Sequence, residues 1–278
     1  MKIYKQLLTG LCLLLAFTSC SKKTDIAPAY NENVLASFSV EFDNIVGDRT
    51  LTFNNTASPY TNAAGEKFTI SLVQYFISNI KVSKADGTTY TVKQDSSYFL
   101  IKSADRSTRF AKVKVPEGDY TKVTFTIGVD SLRSTMDISK RTGVLDPSGG
   151  HDGGMYWGWN SGYIFFRMEG NADAISNDVS GDPTGKKAFR YHIGGFGGYS
   201  APTINNIRTV TVDLTAGGVA KVRKDRQSNV HLLVDLIRVF NGKNPFSIAA
   251  HPSVMFSDFS TSVSANLPGL FKHDHTEN

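Results

Sequence analysis

Residues 123–129 read Val123-Thr124-Phe125-Thr126-Ile127-Gly128-Val129, four apolar side chains separated by small or polar ones. A period of two puts Val123, Phe125, Ile127 and Val129 on one face of an extended chain and the threonines on the other. The same alternation recurs at Phe38, Val40 and Phe42 around Ser39 and Glu41, and at Val210, Val212 and Leu214 around Thr211 and Asp213. Further strands are predicted over residues 51–53, 76–82, 88–92, 98–101, 163–168, 189–193, 219–222 and 230–233. Ala85-Asp-Gly87, Pro116-Glu-Gly-Asp119 and Ala216-Gly-Gly218 supply turns between them. Short helices are expected near 131–140 and 260–271. Many short strands with Gly-rich turns, no internal repeat and no linker after residue 33 give an all-β chain. The expected architecture is one antiparallel β-sandwich over residues 34–278 with long loops and one or two short helices.

Composition is compatible with that reading. The 278 residues are 40% hydrophobic and 20% charged, near globular averages, which excludes collagen, wholesale disorder and a polytopic membrane protein. The formal net charge is +5 with no dense Lys/Arg run, so no nucleic-acid partner is expected. The N-terminus carries Lys2 and Lys5, an apolar run, and then Phe17-Thr-Ser-Cys20. This is the layout of a secretory signal. The end of the run resembles a loose lipobox of the Bacteroidota type, which implies a signal peptide over residues 1–19 cleaved before Cys20, lipid on the Cys20 sulfur and a tether over 20–33. The expected location is then periplasm-facing or surface-exposed at the outer membrane. An ordinary signal peptide with an incidental cysteine is the simpler alternative. In the lipoprotein reading Cys12 is discarded and Cys20 is blocked, so thiolate zinc sites, CxxC redox motifs, cysteine nucleophiles and c-type haem are excluded.

Chemistry-bearing residues are unevenly placed. All six histidines (His151, His192, His231, His251, His273 and His275) and both tryptophans fall after residue 150. Without thiolates, imidazole and oxygen ligands suit copper(II), zinc or nickel. In an extended tail, His273-Asp-His275 would carry both imidazoles on one side. His151-Asp152 precedes a Gly-rich loop holding Trp157 and Trp159, and His192 opens the second such loop, Tyr191-His-Ile-Gly-Gly-Phe-Gly-Gly-Tyr199. Candidate ligands are therefore His192, His151, His251, His273 and His275, with Asp152 placed to orient His151. His231, in an apolar strand, reads as structural. No nucleophile elbow, HExxH, Walker A or dinucleotide fingerprint is present, and Asp146 beside Pro147 reads as turn chemistry, so no intrinsic catalysis is expected.

At this point the chain resembles the MbnP-like copper-binding domain family, named for a methanobactin-associated periplasmic protein and including copper-repressible relatives. The resemblance rests on Gly154-Met-Tyr-Trp-Gly-Trp-Asn-Ser-Gly-Tyr-Ile-Phe-Phe-Arg-Met-Glu-Gly170. It is supported by Tyr75-Phe-Ile-Ser-Asn-Ile-Lys81, Pro116-Glu-Gly-Asp-Tyr120, Phe125-Thr-Ile-Gly-Val-Asp130 and Tyr191-His-Ile-Gly194, and it spans roughly residues 35–240. It implies a β-sandwich that binds copper through histidines, with His192 matching the family's Phe-His-x-Gly position. In some members a tryptophan is oxidised to kynurenine by a partner dihaem peroxidase and helps hold the metal; the matching residues here are Trp157 and Trp159. A metal-uptake transporter is a further implied partner.

The other reading of the same loops is a binding module for glycan or protein, in which Tyr156, Trp157, Trp159, Phe196 and Tyr199 form an exposed aromatic platform. The blandest reading makes the two tryptophans anchors of the sandwich core.

Overall fold

The structure is a computed structural model and describes residues 30–147, 154–158, 162–176, 185 and 187–278. Cys20, His151, Asp152 and Trp159 lie outside the described residues. Along the chain the strands are β1 (Leu35–Val46), β2 (Arg49–Thr50), β3 (Tyr60–Thr61), β4 (Lys67–Lys84), β5 (Thr89–Thr91), β6 (Tyr98–Lys102), β7 (Phe110–Pro116) and β8 (Gly118–Ile127). They continue with β9 (Tyr156–Trp157), β10 (Gly162–Ala172), β11 (Ala188–Gly194), β12 (Arg208–Asp213), β13 (Ala220–Val222), β14 (Ser228–Asp235), β15 (Ser253–Val254) and β16 (Phe271–Glu277). Among the described residues there are also three short α-helices, α1 (Ser131–Thr135), α2 (Arg238–Asn241) and α3 (Phe259–Asn266), and several 3-10 turns. The fold is all-β.

Two sheets face each other. The smaller runs in the order β16-β14-β1-β2 with β7 also on β1; the larger runs β12-β8-β4-β10-β11-β15 with shorter strands attached. Most pairings are antiparallel, as expected from the turns. Among the strands of the described residues two pairings are parallel: β1 with β14, and β11 with the two-residue β15. The β1–β14 pair joins strands nearly two hundred residues apart in sequence, which no local turn signal reveals. Strands from early and late in the described chain therefore share one sheet with β7, while the larger sheet is built mostly from strands between them.

Period two does what the sequence promised. On β8, Val123, Phe125 and Ile127 are buried in the inter-sheet core. On the opposite face Thr124 Oγ1 meets Thr211 Oγ1 at 3.0 Å, and these residues are register partners on β8 and β12. Four rings lock the sheets together: Phe42 of β1 and Phe271 of β16 from one side, Tyr75 of β4 and Phe125 of β8 from the other. Their centroids lie 5.1–6.2 Å apart at mostly perpendicular angles, the geometry favoured by ring quadrupoles. Burying each such side chain contributes about 1.5–3 kcal/mol.

A second apolar cluster covers the outward face of the larger sheet. Phe76, Val129, Met155, Trp157, Tyr163 and Phe165 form its centre. This second layer explains why β10 is buried on both faces over its first half and alternates only from Arg167 onward.

The helix expectations hold in position more than in length. The region 131–140 contains α1 and a 3-10 turn, Ile138–Lys140. The region 260–271 is α3 followed by a 3-10 turn, after which the chain becomes β16.

Candidate functional site

The row of residues that matters first runs across β10 and β11. On β11 Phe189, Tyr191 and Ile193 enter the core, so Ala188, Arg190 and His192 face outward. On β10 the outward residues beside them are Arg167, Glu169 and Asn171, and Arg167 is the register partner of His192. Glu169 Oε1 lies 2.7 Å from His192 Nε2 and 2.8 Å from Arg167 Nε. The His192 and Glu169 side chains are only 13% and 21% exposed. The bond from His192, opposed by burial and helped by Arg167, brings the Glu169 carboxyl down to about 2. Glu169 is therefore ionised at neutral pH and can only accept, so His192 carries its proton on Nε2. In the neutral ring this leaves the Nδ1 lone pair as the donor for an electrophile. A carboxylate fixing the tautomer of an imidazole in this way is the usual arrangement around a metal-ligating histidine.

Two neighbours bring the Trp-bearing loop to this row. Arg167 Nη1 reaches the Gly154 carbonyl oxygen at 3.4 Å. Trp157 pairs with Gly162 across β9 and β10 and lies over Gly194, two residues beyond His192. A Cβ on Gly194 would sit 2.7 Å from Trp157 Cζ3 and 2.4 Å from the Tyr163 carbonyl oxygen, so only glycine lets the indole close onto the strand. Positions two apart on a strand are roughly 7 Å from each other, which places the indole near the imidazole's end of β11.

Two further motifs of the resemblance, Tyr75–Lys81 and Phe125–Asp130, meet in one hydrogen-bonded network. Asn79 adopts the left-handed region with φ 54° at a register shift in β4, and its Nδ2 donates to Asp130 Oδ2 at 3.0 Å. Asp130 also accepts from Tyr98 Oη, Gln94 Nε2 and the Arg133 backbone N–H, which caps α1. These bonds tie β4, β6 and the end of β8 into one frame beneath the second apolar cluster.

The remaining expected ligands disperse. His251 stacks on Phe259 at 3.6 Å and 12°, beside Phe246, which is a packing arrangement. His273 and His275 do not share a side: a register shift in β16 separates them. His273 packs against Gly217 and meets Thr276 Oγ1 at 2.9 Å, while His275 stands beside His231 with ring centroids 4.9 Å apart. Among the described residues neither His251, His273 nor His275 is brought to His192. The exposed aromatic platform is not formed by the described rings: Trp157 and Phe196 are buried and only Tyr199 is broadly exposed. Trp157 instead fills the second core, edge-on to Phe256, which accords with the core-anchor reading.

Sequence reasoning passed over Glu169 although it lies inside the quoted motif. Its signal was the i, i+2 spacing from Arg167 on an alternating strand. It also passed over the outward direction of His231, which Val230 and Leu232 on either side should have given.

A two-sheet β-sandwich with a carboxylate-held histidine beside a buried Trp-bearing strand defines the class. The profile of the MbnP family matches residues 36–256, so the chain belongs to the MbnP family. Its structure is similar to that of MbnP from Methylosinus trichosporium, with a TM-score of 0.53 at 14% identity over 81% of this chain and 82% of that one. At that identity the likeness carries the fold alone. Curated proteins include no sequence match to this chain.

Proposed function

We propose that this chain is a copper-binding protein of the bacterial cell envelope, tethered through lipid on Cys20, that holds copper as cargo at the Trp-bearing end of β10 and β11. The observation that carries the reading is the His192–Glu169 pair: a single tautomer, a partly buried imidazole, and Nδ1 left to coordinate. His192 is the first ligand. His151, with Asp152 to orient it, is the second, supplied from the segment that leads into Gly154. Glu169 fixes the ring of His192, and Arg167 neutralises the Glu169 carboxylate.

Trp157 or Trp159 becomes the third element when a dihaem peroxidase partner oxidises it. The balanced chemistry consumes two hydrogen peroxide equivalents, opening the indole to N-formylkynurenine and releasing two waters. Hydrolysis then releases formate and leaves kynurenine, whose aniline and carbonyl can ligate where an indole N–H cannot. Transfer of copper to a metal-uptake transporter is the corresponding cellular role; the chain itself performs no catalysis.

The test is equilibrium titration of the metal-free protein with copper(I) and copper(II), alongside His192→Ala. A tightly held copper equivalent that the substitution weakens about 100-fold is expected. Absence of binding at micromolar copper in both oxidation states, in material purified from its native host, would remove the proposal.

A further inference from the structure

The smaller sheet carries a second constellation, unrelated to His192. His231 of β14 and His275 of β16 are register partners, and both face outward, since Val230, Leu232 and Val234 fill the core. Between them the register slips: His231 pairs with His275, whereas its neighbour Leu232 pairs with His273. Two steps on β16 thus match one on β14, and Asp274 is the extra residue. A bulge of this kind re-aims a side chain. Strict alternation would have sent Asp274 to the face opposite His275; instead its Oδ2 lies 3.0 Å from His231 Nδ1 and 2.8 Å from His275 Nδ1.

One ligand atom from each of His231, Asp274 and His275 falls within a sphere where all lie within 4.8 Å of one another. The second nitrogen of each ring is also provided for. Asp43 Oδ2 faces His231 Nε2 at 3.8 Å, and Glu277 Oε1 faces His275 Nε2 at 3.7 Å. Arg109 holds the other oxygen of Asp43 at 2.7 Å, which aims Oδ2 at the imidazole. Each histidine therefore has one nitrogen directed at the shared carboxylate and the other at a second carboxylate, the pattern seen where imidazoles ligate through one nitrogen and donate from the other.

We infer that His231, Asp274 and His275 form a binding site for a divalent transition-metal ion of zinc or copper(II) type, separate from the His192 site. Two imidazoles and one carboxylate suit such borderline ions, and they leave coordination positions open to solvent on an edge strand. On binding, each ring presents Nδ1 to the ion and keeps a proton on Nε2, toward Asp43 or Glu277. His273 takes no part: it is on the other face of the same strand, against Gly217. The core, about 10 Å thick between sheets, separates this site from His192 on the outward face of the larger sheet.

The experiment is zinc(II) titration of the full metal-free protein by calorimetry, with His275→Ala, Asp43→Asn and His192→Ala beside the wild type. The inference expects one zinc equivalent that His275→Ala weakens about 100-fold, Asp43→Asn weakens about 10-fold and His192→Ala leaves in place. His275 is half exposed, so its truncation leaves the fold intact, which circular dichroism verifies. Zinc binding by His275→Ala equal to that of the wild type, or absence of any zinc equivalent that survives His192→Ala, would overturn it. Because His192→Ala and His275→Ala are read side by side, failure of one site leaves the other measurable.

Discussion

Glu169 and His192 sit on neighbouring strands, β10 and β11, with Oε1 and Nε2 2.7 Å apart. The carboxylate decides which nitrogen of the ring is free, and so decides what the ring can do. Glu169→Gln removes the ionised acceptor while keeping the shape. Copper affinity should fall by about 10–100-fold, the usual effect of losing a carboxylate behind a ligating histidine, with little change in fold. Competition titrations of the two proteins against a chelator of known affinity check this. An unchanged copper affinity would make the pair a plain ion pair.

Gly194 tests the placement of the indole. Alanine there would bring a methyl group to 2.7 Å from Trp157 Cζ3 and 2.4 Å from the Tyr163 carbonyl oxygen. The backbone oxygen cannot yield easily, so overpacking should cost about 1–3 kcal/mol. Urea unfolding gives the cost, and tryptophan emission should shift to longer wavelength as the ring is displaced. Wild-type stability in Gly194→Ala would mean that Trp157 does not lie where the structure puts it.

Asp130 is the hub that gathers Asn79, Gln94, Tyr98 and the first turn of α1. Asp130→Ala leaves several partly buried donors without an acceptor and removes a helix cap. A loss of about 2–4 kcal/mol is expected by denaturant unfolding. Asn79→Gly should cost less, since it retains the left-handed backbone and loses one bond.

Glu66 gives the chain an acid-sensitive joint. Burial alone would raise its pKa, but its carboxylate accepts from the Ala249 and Ile248 backbone N–H groups, Asn62 Nδ2 and Ser247 Oγ, and the net shift is downward. A carboxyl depressed in the folded state adds stability above its unfolded pKa, near 4.3, and loses it as pH falls toward the folded value. Unfolding midpoints measured from pH 6 to pH 3 should therefore drop for the wild type. Glu66→Gln should be less stable at pH 6 and show a shallower drop, since the stability lost with protonation is already absent.

Much of the fold was legible because period-two alternation is a local property. Val123, Phe125 and Ile127 could be assigned to the core from their own spacing, and the turn residues gave the antiparallel neighbours. The parallel β1–β14 pair was not legible, since it joins Phe38 to Ser228 with no local signal. The candidate site was half legible. His192 stood out through the family resemblance, while Glu169 needed the β10–β11 register to bring it alongside. The tail misled for a physical reason: simple alternation put His273 and His275 on one side, and one bulged residue, Asp274, moved them apart and gave His275 to His231. His231 read as structural because its strand is apolar, yet the apolar residues on either side are what turn it outward.

The central claim is that His192 is a copper ligand through Nδ1. Anomalous diffraction at the copper edge, from crystals loaded with one equivalent of copper, tests it most directly. The account predicts the strongest peak about 2 Å from His192 Nδ1, with Glu169 still on Nε2. A map with no peak at His192, or with its only strong peak between His231 and His275, would contradict it.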